Sequence, residues 1–196
     1  MPRVGLTSAA VVAEAERMVD DLGMDGLTLA ALAARLGVRQ PSLYKHVDGV
    51  AGLRRAIAVR AAREMTETLG RAAVGRSRGD AITAIADAHR EWALAHPGRY
   101  QVAQAPPVPG DVEHEQVAAD FLRMYTDVLS GFGLVGADAI DAIRGLRSAL
   151  HGFVSLEADG MFAMPYDIDR SFRRLIGALI DALGHWSAEP EAAPLP

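Results

Sequence analysis

The 196-residue chain has no cysteine, so disulfides and thiolate chemistry are excluded. It has one lysine, Lys45, and its other basic side chains are arginines. No apolar run approaches the roughly 20 residues of a membrane span. The start, MPRVGLTSAA, lacks the apolar stretch of a secretion signal. The expectation is a soluble cytoplasmic protein with no membrane partner. Enzyme signatures are also missing. There is no glycine-rich phosphate loop, no HExxH, no GxSxG and no Glu-x-x-His pair. Asp111, Glu113, His114 and Glu115 cluster at the start of a helix, where the macrodipole attracts acids anyway. A solvated first turn is expected there rather than a metal site. No catalytic residue, metal or cofactor is assigned, and no alternating run is long enough for a strand.

What the chain does have is apolar periodicity and an uneven charge. Half the residues are hydrophobic and the mean hydropathy is +0.10, enough for a sizeable core. The net charge of −5 conceals a basic segment. Residues 35–63 hold seven basic side chains and one acid, a net of +6, so the remainder carries −11. A phosphate field is felt locally and screened beyond about 8–10 Å, so such a segment can face nucleic acid on an acidic molecule.

The basic segment overlaps the stretch TLAALAARLGVRQPSLYKHV, residues 28–47. Thr28 is a good N-cap. Leu29, Leu32, Ala33 and Leu36 form one apolar helical stripe. Gly37 sits where a left-handed C-terminal residue is needed. Pro41 suits the first position of a second helix. Leu43 and Val47 face inward, which leaves Arg39, Gln40, Ser42, Tyr44, Lys45 and His46 outward. That set is rich in donors and has no acid. A short helix fits the DNA major groove, and side chains near its N-terminus reach base edges. Arg39, Gln40, Ser42 and Lys45 are expected in the groove, with Thr28, Tyr44 and His46 nearer phosphates.

Leu6-Thr7 opening a first helix, the helix-turn-helix LTLAALAARLGVRQPSLYKHV, and a helix from about Val50 resemble the DNA-binding domain of the TetR family of transcriptional regulators. The resemblance covers about residues 6–57. It implies an all-α homodimer, a three-helix head on double-stranded operator DNA, and a larger helical body that senses a small molecule. Leu150-His151-Gly152 resembles the tryptophan-histidine-glycine signature of one body class, with leucine replacing tryptophan. The stretch AHPGRY resembles one common in such bodies. A phosphate-contacting lysine of many members is replaced by Val50; backbone N–H groups there would still reach phosphate, or Arg54 or Arg55 would compensate.

The expected domains are a head over 1–50, a linking fourth helix over about 50–69, a sensing and dimerisation body over 71–186, and a disordered tail over 187–196. Glycines and arginines make 70–79 the boundary. The helix over 137–158 is nearly apolar all round, so burial on several sides is expected. In the body, His89, Trp92, Tyr100, Phe121, Tyr125, Arg144, Arg147, His151 and Met161 are candidate pocket residues. Aromatics and methionine would supply an adaptable apolar wall, and the basic groups would orient an apolar or weakly acidic effector. For Trp92 a packed core is an equal reading. Leu175, Gly177, Ala178, Leu179 and Ala182 on the last helix are candidate dimer contacts. The expected function is ligand-released repression. A helical ligand-binding protein or enzyme that ignores DNA is the alternative.

Overall fold

The computed structural model describes residues 6–186. Residues 1–5 of the expected head and the expected disordered tail lie outside the described residues. Among these residues the chain is all-helical, and no helix is long and apolar enough to cross a membrane.

The chain divides into two compact units, one built from residues up to 66 together with 92–118, the other from 67–91 together with residues from 119 onward. In the first unit, α1 (Ser8–Leu22) is capped by Thr7, whose hydroxyl accepts from Ala10 N at 3.1 Å. A short 3-10 turn (Met24–Gly26) leads to α2 (Leu29–Leu36). A 3-10 helix (Gln40–Lys45) and the long α3 (Gly49–Ala73) follow, the part of α3 from 67 onward belonging to the second unit. Val11, Ala15, Met18, Leu32, Leu43, Leu53 and Ile57 are buried together, so α1, α2, the 3-10 helix and α3 share one core. The first unit also holds α5 (Pro97–Ala103) and the start of α6 (Val112–Ser130).

The second unit contains most of α4 (Arg78–Ala95), the rest of α6, α7 (Gly136–Ala158) and α8 (Ile168–Gly184). Its core includes Ile82, Ile85, Tyr125, Leu129, Ile143, Leu146, Leu150, Phe172 and Ile176.

Three features differ from expectation. The helix expected to stop near Leu69 runs through Gly70 to Ala73, and the break shrinks to 74–77. A Cβ at Gly70 would meet only Met124 Cγ, at 3.9 Å, so that glycine interrupts nothing. Second, a body running unbroken over 71–186 is not how the contacts divide the chain, because α5 packs on α1. Gly98 permits this: a Cβ there would lie 1.9 Å from the Val19 carbonyl oxygen. Arg99 then donates from its backbone N–H and Nε to the two carboxylate oxygens of Asp20, at 2.8 and 2.7 Å, and from Nη1 to Glu64 at 2.8 Å. Third, α7 buries a single stripe, Ala139, Ala142, Ile143, Leu146, Leu150 and Val154. Its opposite side, with Asp141, Gly145 and Ser148, is exposed.

Candidate nucleic-acid interface

The turn between α2 and the 3-10 helix is held by backbone bonds. Gly37 adopts φ 66°, ψ 28°, a left-handed conformation that costs a residue with a Cβ. Its geometry brings Val38 N onto Ala33 O at 3.0 Å and closes the C-terminus of α2. At the other end of α2, Thr28 Oγ1 accepts from Ala31 N at 3.1 Å. Arg39 then has extended backbone, and the next six residues wind as a 3-10 helix. Ser42 N donates to Arg39 O at 2.9 Å and His46 N to Leu43 O at 2.8 Å, the i to i+3 pattern of that tighter helix. Gln40 therefore holds the first helical position and Pro41 the second. Leu43 is fully buried and pins the segment to the core. Arg39, Gln40, Pro41, Ser42, Tyr44 and Lys45 are exposed, while His46 is half-buried. Thr28 is also exposed, at the start of α2.

The charge of the 35–63 segment is much reduced by folding. Arg35 binds Glu14 at 2.7 Å and Asp21 at 2.9 Å, both on α1. Arg60 meets Glu16, itself buried, through two bonds of 2.8 and 3.2 Å. Arg55 donates to both oxygens of Asp111 and, at 3.2 Å, to Glu113. Arg63 reaches Glu113 at 3.0 Å. Arg55 holds Asp111 below the usual carboxylate range, and Arg63 with Arg55 does the same to Glu113. Among the described residues, Arg39, Lys45 and Arg54 are the basic side chains of this segment that form no ion pair. All three are exposed. Of the two arginines that would replace the missing lysine near Val50, only Arg54 is therefore unengaged. The partner acids lie on α1 and at the start of α6, far from the segment in sequence, and no local pattern announces them. Within the cluster at 111–115, Asp111 and Glu113 thus anchor arginines, while Glu115 accepts from Gly110 N at 2.9 Å.

The candidate pocket residues fall in both units. Trp92 and Tyr100 belong to the first. Trp92 is buried, donates to Glu64 at 3.3 Å, meets His96 edge-on at 5.2 Å and lies under Arg99 at 5.7 Å, so it serves the α5 docking network. The other seven belong to the second unit. There Phe121 packs on Tyr125 at 4.9 Å and lies under Arg147 at 5.8 Å. His89 is 2% exposed. Burial, then the charges of His151 and Arg147, push its pKa down to about 4. His89, Phe121, Tyr125, Arg147 and His151 thus form one neighbourhood. Arg144 does not join it: it is exposed and paired with Asp141 at 3.0 Å one turn away. Nor does Met161, which is 66% exposed in the loop after α7.

The candidate dimer residues separate by flank of α8. Ala178 and Ala182 are exposed and Leu175 and Leu179 half-buried along one side. Gly177 lies on the other side and lines a groove shared with α4.

Comparison with known proteins agrees with this architecture. Residues 82–179 match the family model described as the tetracyclin repressor-like C-terminal domain. The chain is 40% identical over 157 residues to the HTH-type transcriptional regulator Rv0681 of Mycobacterium tuberculosis, covering 80% of this chain and 72% of that one. It is 33% identical over 183 residues to the HTH-type transcriptional regulator YobS of Bacillus subtilis, covering 93% and 95%. Among solved structures, BioQ with its double-stranded DNA operator superposes with a TM-score of 0.69 at 23% identity, covering 93% of this chain and all of that one. TetR-Q116A of Acinetobacter baumannii AYE in complex with minocycline gives 0.67 at 24%, covering 91% and 96%. At those identities the two structures speak for the fold alone, while the two sequence relatives are HTH-type transcriptional regulators. A helix-turn-helix with a closed Gly37 turn, an all-helical remainder and matches spanning both halves make this chain a member of the TetR family of DNA-binding transcriptional regulators.

Proposed function

We propose that the protein is a cytoplasmic repressor that binds operator DNA as a homodimer and leaves it when a small molecule occupies the second unit. The observation that carries the DNA-reading face is electrostatic. Folding neutralises Arg35, Arg55, Arg60 and Arg63 internally and leaves Arg39, Lys45 and Arg54 without an ion pair. Arg39 and Lys45 flank the exposed ridge of the 3-10 helix, with Gln40, Pro41 and Ser42 between them. In this reading Arg39, Gln40, Ser42 and Lys45 meet base edges, and Thr28, Tyr44, His46 and Arg54 meet phosphates. The operator-bound BioQ structure supports the pose by fold.

A single head reads only a few base pairs, and a two-fold dimer doubles the site. The free side of α7 and one flank of α8 suit such an interface. A Cβ at Gly145 or Gly152 would meet nothing within 4 Å of the same chain, so another helix has room to approach. Leu175, Ala178, Leu179 and Ala182 supply the matching flank of α8. For the effector, Phe121 and Tyr125 offer an apolar wall, and His89, Arg147 and His151 favour an apolar or weakly acidic molecule. TetR-Q116A with minocycline supports sensing by a body of this fold. An effector that prefers one conformation lowers operator affinity by its differential affinity, typically about 5–150-fold.

The test is to recover genomic fragments bound by the purified protein and to measure gel shifts on the enriched site and on randomised versions. Arg39→Ala and Lys45→Ala should each weaken binding, and only a base-reading side chain should also relax sequence preference. Unchanged binding in both variants overturns the pose. Effector hits from a thermal-shift screen should then release DNA. Tight binders that leave operator affinity untouched overturn the sensor reading.

A further inference from the structure

Helices α4 and α8 touch at two points and part between them. At one end Gly79 lets α4 approach closely: a Cβ there would stand 3.0 Å from Ile180 Cγ2. At the other, Arg90 binds Asp169 at 2.8 Å and lies 4.9 Å over the Phe172 ring. The two helices are therefore antiparallel here. The space between holds a cleft of about 500 Å³, within the usual range for a small ligand. Its apolar surface is Phe172, Ile176 and Ile180, and its polar rim on α4 is Thr83 and Asp87. Gly177 faces the middle of the cleft, and a Cβ on it would meet nothing within 4 Å. A large side chain at this position would therefore have open space to fill.

The charges of this cleft are unequally satisfied. Arg90 donates to both oxygens of Glu157, at 2.7 and 2.6 Å, besides its bond to Asp169. Arg173 lies beside Asp167 at 3.8 Å. Asp87 is exposed on the rim and forms no ion pair among the described residues. The cations lining the cleft have acids already, and one carboxylate lacks a cation. We infer that the α4–α8 cleft binds a small amphiphilic amine, its ammonium on Asp87 and Thr83 and its apolar body on Phe172, Ile176 and Ile180 above Gly177. This site is separate from the neighbourhood of His89, Arg147 and His151, and it takes the opposite charge.

Calorimetric titration of the full chain without DNA tests the inference independently of operator binding. The probes are 2-phenylethylamine, the equally sized 2-phenylethanol and 3-phenylpropionate. The amine should bind at least about tenfold more tightly than the alcohol, as a charge-assisted hydrogen bond implies, and the acid should bind least. Asp87→Asn should remove that preference. Gly177→Leu should block the amine by filling the cleft. Both variants sit at open positions, and circular dichroism checks that each stays folded. An amine that binds no better than the alcohol, or equally well to Asp87→Asn, overturns the inference. So does absence of amine binding at millimolar concentration. Loss of DNA binding bears on the proposed function and leaves this result standing.

Discussion

Replacing Gly98 by alanine sets two effects of opposite sign against each other. Gly98 is helical, at the second position of α5, so alanine should gain at most about 1 kcal/mol of helix propensity. Its Cβ, however, would sit 1.9 Å from Val19 O and 2.4 Å from Val19 C. Those atoms are backbone inside α1 and cannot turn aside as a flexible side chain would. To reach ordinary contact near 3.4 Å, α5 must retreat by more than an ångström. That movement lengthens the two bonds from Arg99 to Asp20, now 2.8 and 2.7 Å, beyond hydrogen-bonding range. Overpacking of this kind costs about 1–3 kcal/mol. The strained charge-assisted bonds add about 1 kcal/mol, taken at the low end because water can reach both groups once they part. The net is about 2 kcal/mol of destabilisation, or a Tm lower by about 4–8 °C for a chain of this size. Melting followed by circular dichroism at matched protein concentration measures it, because any self-association would make the Tm depend on concentration. Gly177→Ala is the control, since its Cβ meets nothing within 4 Å, and it should melt at or slightly above the native protein. A Gly98→Ala protein as stable as the native one refutes the argument that close approach at Gly98 docks α5 on α1.

Other outcomes follow from the same geometry. Arg54→Ala should lower the slope of log affinity against log salt by about one, the signature of a lost phosphate contact. Arg55→Ala should leave that slope unchanged and lower the Tm instead, because Arg55 is engaged by Asp111 and Glu113. Ala178→Arg should convert a dimer at micromolar concentration into monomers with poor operator affinity, read by light scattering and gel shift. A native protein that is already monomeric refutes the interface. His89, its pKa depressed to about 4, folds neutral, while in the unfolded chain it protonates near 6.5. Its stabilisation is complete above pH 6.5 and lost as pH falls toward 4, about 2 kcal/mol of it by pH 5. His89→Gln should flatten the stability profile between pH 5 and 7 relative to the native protein, measured by urea unfolding.

The helix-turn-helix was legible in the sequence because its determinants are local. Thr28 caps its own helix, Gly37 takes the left-handed turn, and Leu43, four residues before Val47, points inward. The all-helical class followed from periodicity in the same way. The refinement of the second helix to a 3-10 winding was not legible, since Pro41 suits either form and the difference is one hydrogen-bond register. Charge was the opposite case. The segment 35–63 carries +6 by composition, yet its partners Glu14, Glu16, Asp21, Asp111 and Glu113 lie up to 58 residues away and become neighbours only by folding. Trp92 shows the same limit, because helical spacing placed it on an apolar face but not against Glu64 and Arg99. Gly98 and Gly177 look alike in the sequence, though one admits a backbone and the other faces an open cleft. What neighbours decide along the chain, the caps, turns, helix periods and the outward donors at 39–46, the sequence determined by itself. What neighbours decide through space, namely which charges remain unpaired, which aromatics are occupied and where a glycine leaves room, was decided only by the tertiary structure, because those energies depend on distances that no local pattern encodes.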